Sequence, residues 1–143
     1  MKALVLLAHG SREAGGPRPL AALCGWVQPL APEARVVDAY LTLNQPDLGS
    51  CLTDLARQGF TEAAVVPLFV SKGHHLNVEL PLLLAHWQGE LPSLRLSLAP
   101  HLGADGAIAK LVLRRACQAI PLAGSEAGTM QGGTGRLTAI MIK

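Results

Sequence analysis

Apolar residues recur along this chain in two alternating rhythms. Residues 2–8, KALVLLA, form a short apolar run closed by a turn at His9-Gly10-Ser11-Arg12, which predicts a buried strand. Gly15, Gly16, Pro17 and Pro19 keep the next residues irregular, and Leu20, Leu23, Cys24 and Val27 then follow helical spacing until Pro29 and Pro32 stop the helix. Residues 35–41, RVVDAYL, predict a second strand. Asn44 is placed to cap a second helix with Pro46 in its first turn. Leu48, Cys51, Leu52 and Leu55 form its apolar stripe, and Gly59 is its C-terminal cap. The run AAVVPLFV over 63–70 predicts a third strand, buried on both faces as in parallel sheets. A Ser71-Lys72-Gly73 turn and a loop with His74 and His75 come next. Glu79 and Pro81 suit the first turn of a third helix over 78–88. Residues 94–98, LRLSL, alternate as a fourth strand, and Ile108, Leu111, Val112 and Ala116 set out a fourth helix that ends before Pro121.

Strand followed by helix, four times over, predicts an α/β fold: a four-stranded parallel doubly wound sheet of order 2-1-3-4, joined by right-handed crossovers, with helices on both faces. Periodicity stops at Pro121. The segment PLAGSEAGTMQGGTGR carries five glycines and reads as a flexible tail. The expected division is therefore one domain over residues 1–120 and a Gly-rich tail over 121–143, with LTAIMI at 137–142 able to add a strand to an edge or to a partner chain.

Composition narrows the function classes. Half the residues are hydrophobic and 15% are charged, which suits a packed domain rather than a disordered chain. A net charge of +2, with no basic arm, argues against a nucleic-acid partner. No apolar stretch approaches the roughly 20 residues that span a membrane, and the brief apolar run after Met1 reads as a strand rather than a signal peptide. Cys24, Cys51 and Cys117 lie too far apart for a CxxC pair. They are expected to be buried helix-face thiols in a reducing cytoplasm. Neither GxGxxG nor GxxxxGK[ST] occurs, so no nucleotide is expected.

Ligands of open parallel sheets collect at the carboxyl ends of the strands, where the strand order reverses. In a 2-1-3-4 sheet that point lies between strands one and three. His9 ends strand one and His75 follows strand three, so two imidazoles distant in sequence face one crevice. A neutral imidazole is a good ligand for Co, Ni, Fe or Zn and a competent proton acceptor. His74 is expected to point elsewhere, His86 to sit on a helix face and His101 in a loop. Ser11 reads as a turn or anion-contacting hydroxyl. A histidine phosphatase would need an arginine immediately before His9, where Ala8 stands.

Two segments together resemble a known family. Ala8-His9-Gly10-Ser11-Arg12, with Val66-Pro67-Leu68-Phe69-Val70-Ser71-Lys72-Gly73-His74-His75 and then Glu79-Leu80-Pro81, is similar to the short form of the sirohydrochlorin chelatases, the CbiX type. That family carries an HGS turn and a later G-x-H-x-x-x-acid-aliphatic-Pro segment, which Gly73, His75, Glu79, Leu80 and Pro81 match in register. A weaker likeness covers residues 1 to about 117. The resemblance implies a class II chelatase that inserts a divalent metal substrate, Co²⁺, Fe²⁺ or Ni²⁺, into sirohydrochlorin without ATP. It implies that His9 and His75 are the catalytic, metal-handling pair, and that a single-domain chain forms a homodimer. Sirohydrochlorin carries eight carboxylates, for which Ser11, Arg12, Arg18 and Lys72 are the candidate contacts, with Leu76 and Phe69 against the ring. Many relatives carry a Glu where this chain has Thr42, which cannot serve as a charged ligand; Glu79 is the nearest alternative acid. That departure motivates a second reading, a metal or tetrapyrrole carrier with this fold and little turnover.

Overall fold

The computed structural model describes residues 1–12, 18–71 and 73–119, apart from the side chains at 74, 75 and 104. It divides into two units, Met1–Ala104 and Asp105–Lys143. The first holds strands β1 (Lys2–Ala8), β2 (Ala34–Tyr40), β3 (Glu62–Pro67) and β4 (Arg95–Leu98) and helices α1 (Ala21–Val27), α2 (Leu48–Arg57) and α3 (His74–Glu90). The second holds helix α4 (Gly106–Cys117), capped by Asp105, whose carboxylate accepts from the Ala107 N–H at 2.7 Å. The expected tail over 121–143 lies outside the described residues.

All strands are parallel and ordered β2-β1-β3-β4, the order that the sequence pattern predicts. Strand alternation divides the core in two. Ala3, Val5 and Leu7 of β1 join Ala39, Ala63 and Val65 under α2 and α3, where Leu48, Leu52, Leu55, Leu80 and Leu84 complete the larger cluster. Leu6 and Val36 point the other way, to Cys24 of α1. Helices thus cover both faces, but unequally. The short α1 leaves Ala64 and Val66 half-buried, so β3 is fully buried on one face rather than on two.

Both sheet edges are closed near their start by a glutamine amide, which supplies the donor and acceptor that a missing neighbour strand would offer. Gln28 donates to the Ala34 carbonyl at 2.8 Å and accepts from the Val36 N–H at 2.9 Å. Gln88 of α3 does the same for β4, with Leu94 and Leu96 at 3.1 and 2.8 Å.

Three expectations about element ends are corrected. The cap of α2 is Asp47, not Asn44: the Asp47 carboxylate accepts from the Ser50 N–H at 3.0 Å, and Pro46 precedes the cap. α3 starts at His74 rather than at 78, with Gly73 as its cap, so Pro81 lies inside the helix and not in its first turn. β3 stops at Pro67, short of 70. Cys24 and Cys51 are buried as expected, whereas Cys117 on α4 is exposed.

Candidate active site

The parallel ladder continues beyond the ends of the strands. The Leu41 N–H donates to the Ala8 carbonyl at 3.0 Å, that of Thr42 to the His9 carbonyl at 2.9 Å, and that of Leu68 to the Leu7 carbonyl at 2.8 Å. These bonds fix the first residues past β1, β2 and β3 almost as firmly as the strands themselves. The alternation that sends Ala3, Val5 and Leu7 toward α2 and α3 carries His9 to the same side. There it lines an open groove of about 640 Å³ with Leu41, Thr42, Leu76, Glu79, Leu80, Leu82 and Leu83. The groove is apolar apart from an imidazole, a hydroxyl and a carboxylate, the usual mixture of a small-molecule site.

Tight backbone packing shapes its floor. Gly10 has φ +102°, and a Cβ there would lie 1.8 Å from the Thr42 carbonyl oxygen. Leu43 has φ +65°, and the Asn44 N–H reaches back to the Thr42 carbonyl at 2.7 Å, a three-residue turn that costs strain. Asn44 is buried and its side-chain oxygen accepts from the Ser11 N–H at 2.7 Å. The residue expected to cap a helix therefore ties the loop after β1 to the loop after β2.

His9 and Glu79 thus reach one groove from two elements. His75 is the second residue of α3, four before Glu79, so helix periodicity gives the two positions one face. The side chain of His75 and the whole of Lys72 lie outside the described residues. Ser11 and Arg12 are exposed in the loop after β1. Leu76 lines the groove, while Phe69 lines a smaller cavity beside it, of about 80 Å³. Among the described residues no three His, Cys, Asp or Glu side chains gather as a metal cluster.

Arg18 is withdrawn from the expected set of substrate cations. Its guanidinium pairs with Asp38, whose side chain is wholly buried. Tyr40 donates to the same carboxylate at 2.9 Å and accepts from the Leu20 N–H at 3.0 Å. Burial pushes the Asp38 carboxyl up, but the hydrogen bonds from Arg18 and Tyr40 outweigh it and hold the group below the ordinary Asp value. Burial, with Asp38 beside it, pushes the Tyr40 phenol up to about 12. This network anchors the segment before α1 to β2.

Leu41, Leu82 and Leu83 were not expected in the site. Leu41 could have been found by extending the alternation of β2 past its end. Leu82 and Leu83 could not, because the apolar residues of α3 are spread around the helix and no single stripe stands out.

The family model for CbiX matches residues 3–119. A sirohydrochlorin cobaltochelatase from Methanosarcina barkeri is 24% identical over 124 residues, covering 82% of this chain and 95% of its own length. The crystal structure of a CbiX protein from Marinobacter aquaeolei VT8 is similar with a TM-score of 0.61 and 26% identity, covering 83% of this chain and 100% of that one. The sirohydrochlorin chelatase SirB from Bacillus subtilis subspecies spizizenii, in complex with cobalt, aligns with a TM-score of 0.71 and 27% identity over 82% of this chain. The chain spans about half the length of SirB, 50% in that structure.

Proposed function

This chain belongs to the CbiX family, and from that premise we propose that it inserts a divalent metal ion, Co²⁺ first among Co²⁺, Fe²⁺ and Ni²⁺, into sirohydrochlorin without a nucleotide. The observation that carries the reading is the placement of His9, Thr42 and Glu79 in one apolar groove where the strand order reverses. Support also comes from the relatives, a sirohydrochlorin cobaltochelatase and a chelatase crystallised with cobalt.

The proposed chemistry follows from the groove. An imidazole lone pair at His9 takes the metal from water, and His75 at the start of α3 is the second metal-handling group. The apolar wall of Leu41, Leu76, Leu82 and Leu83 receives the flat face of the tetrapyrrole. As the metal enters, two pyrrole N–H protons leave; the histidines and Glu79 are the acceptors at hand. Ser11, Arg12 and Lys72 are the proposed contacts of the substrate carboxylates. Residues 1–120 form the domain that carries this activity, and the protein works in the cytoplasm as a homodimer. Among the described residues no helix is long and apolar enough to cross a membrane.

The test is anaerobic metallation followed by visible absorption, with Co²⁺, Ni²⁺ and Fe²⁺ side by side. The purified protein should accelerate insertion, and His9→Ala or His75→Ala should reduce the rate by about 100-fold or more, the scale of losing an acid–base group. A chain ending at residue 120 should keep the full-length rate. Unchanged rates in both histidine variants would reject their roles; tight product binding without acceleration would point to a carrier.

A further inference from the structure

The Thr42 hydroxyl has one proton and two neighbours. It donates to the His9 carbonyl at 3.0 Å and lies 3.4 Å from His9 Nδ1. With its proton on the carbonyl, the hydroxyl has only lone pairs to offer the ring, and the ring nitrogen is then the donor. We propose that Thr42 is a positioning residue that holds neutral His9 as its Nδ1–H tautomer and leaves the Nε2 lone pair for the groove.

The alternative arrangement makes fewer bonds. If Nδ1 were unprotonated, the hydroxyl would have to turn and donate to it, giving up the carbonyl. One hydrogen bond would then replace two, and a net bond is worth about a fivefold preference between tautomers. Thr42 itself cannot drift away. Its N–H is bonded to the same carbonyl, its own carbonyl accepts from Asn44, and Gly10 packs directly under it.

A histidine that takes a metal through one ring nitrogen is oriented by an acceptor at the other. Thr42 supplies that acceptor without adding a charge. His9 is aimed as a ligand, while the negative charge in the described groove comes from Glu79 on α3. The link to metal capture rests on the chelatase reading, whereas the tautomer itself does not.

Long-range ¹H–¹⁵N correlation spectra of metal-free protein distinguish the two. They are recorded in mildly alkaline solution. His9 should show the Nδ1–H pattern. Thr42→Val, of nearly the same shape, should shift the tautomer ratio about fivefold toward Nε2–H, and Thr42→Ser should restore it. Absorbance titration with Co²⁺ alone should show affinity about tenfold weaker in Thr42→Val and recovered in Thr42→Ser. An Nε2–H pattern in the unaltered protein, or a ratio that Thr42→Val leaves unchanged, overturns the proposal. The Nδ1–H pattern with no sirohydrochlorin metallation by the unaltered protein upholds the positioning role and removes the chelatase reading instead.

Discussion

Gly10 shows how much of the groove rests on one missing methyl group. Its φ of +102° is open to glycine and costly for any L side chain, and a Cβ would lie 1.8 Å from the Thr42 carbonyl oxygen. Gly10→Ala should therefore destabilise the protein by about 2–4 kcal/mol in urea unfolding. Survivors should also lose metallation, because the loop after β2 must move away from His9. A second residue-scale prediction concerns Asp38. Its carboxyl titrates below the ordinary Asp value, so the folded state binds that proton less readily than the unfolded chain does. The stabilisation is complete above the ordinary Asp value of about 3.9 and is lost as pH falls through the lower folded-state value. Asp38→Asn should unfold more easily at pH 7, by about 1–3 kcal/mol given the half-exposed guanidinium partner. The gap from the unaltered protein should close in acid, and a gap constant with pH would show that the ion pair contributes nothing.

Helices α2 and α3 meet through another glycine, with a different logic. Gly49 lies inside α2, where alanine would normally add about 1 kcal/mol of helix stability. A Cβ there, however, would sit 2.1 Å from the Trp87 indole of α3. Gly49→Ala should lose about 1–3 kcal/mol to overpacking and change the tryptophan fluorescence. Gly25→Ala in α1, with open space around it, should gain about 0.5–1 kcal/mol. Equal effects would show that the interhelical contact is loose. The same contrast marks what could be read from the chain. Strands β1 and β2 are legible as apolar runs bounded by turn residues, and β4 from its alternation. The start of α3 is not, because Pro81 imitates a first-turn proline while an internal one is tolerated. Asn44 misleads likewise. Its short polar side chain suits a cap, yet it serves as the tie between two loops, a pairing that depends on contacts remote in sequence.

The molecule gathers its chemistry at one end of the sheet, and the order β2-β1-β3-β4 puts His9 there. That much is legible from alternation and topology; the contact of the Thr42 side chain with His9 is not, since it depends on β1 and β2 staying in register past their ends. The same end exposes apolar side chains. On α3, Leu80 and Leu84 are buried at 3% and 6%, yet Val78 and Leu82 are 52% and 65% exposed, and Leu43 in the loop after β2 is 61% exposed. The part of this chain that matches SirB covers 50% of that structure. In the homodimer proposed above, a second copy would cover that face, with the two grooves framing one cleft for a flat ligand. Sedimentation at micromolar concentration should then give two copies. Diluting below the dissociation constant should lower the metallation rate per chain, because each half-cleft loses its opposite wall. Leu82→Glu should do the same at high concentration, since a carboxylate on that face would have to be desolvated on pairing. A monomer whose rate per chain is independent of concentration would require that one groove, with the apolar face of α3 left to the ligand alone, is a complete site.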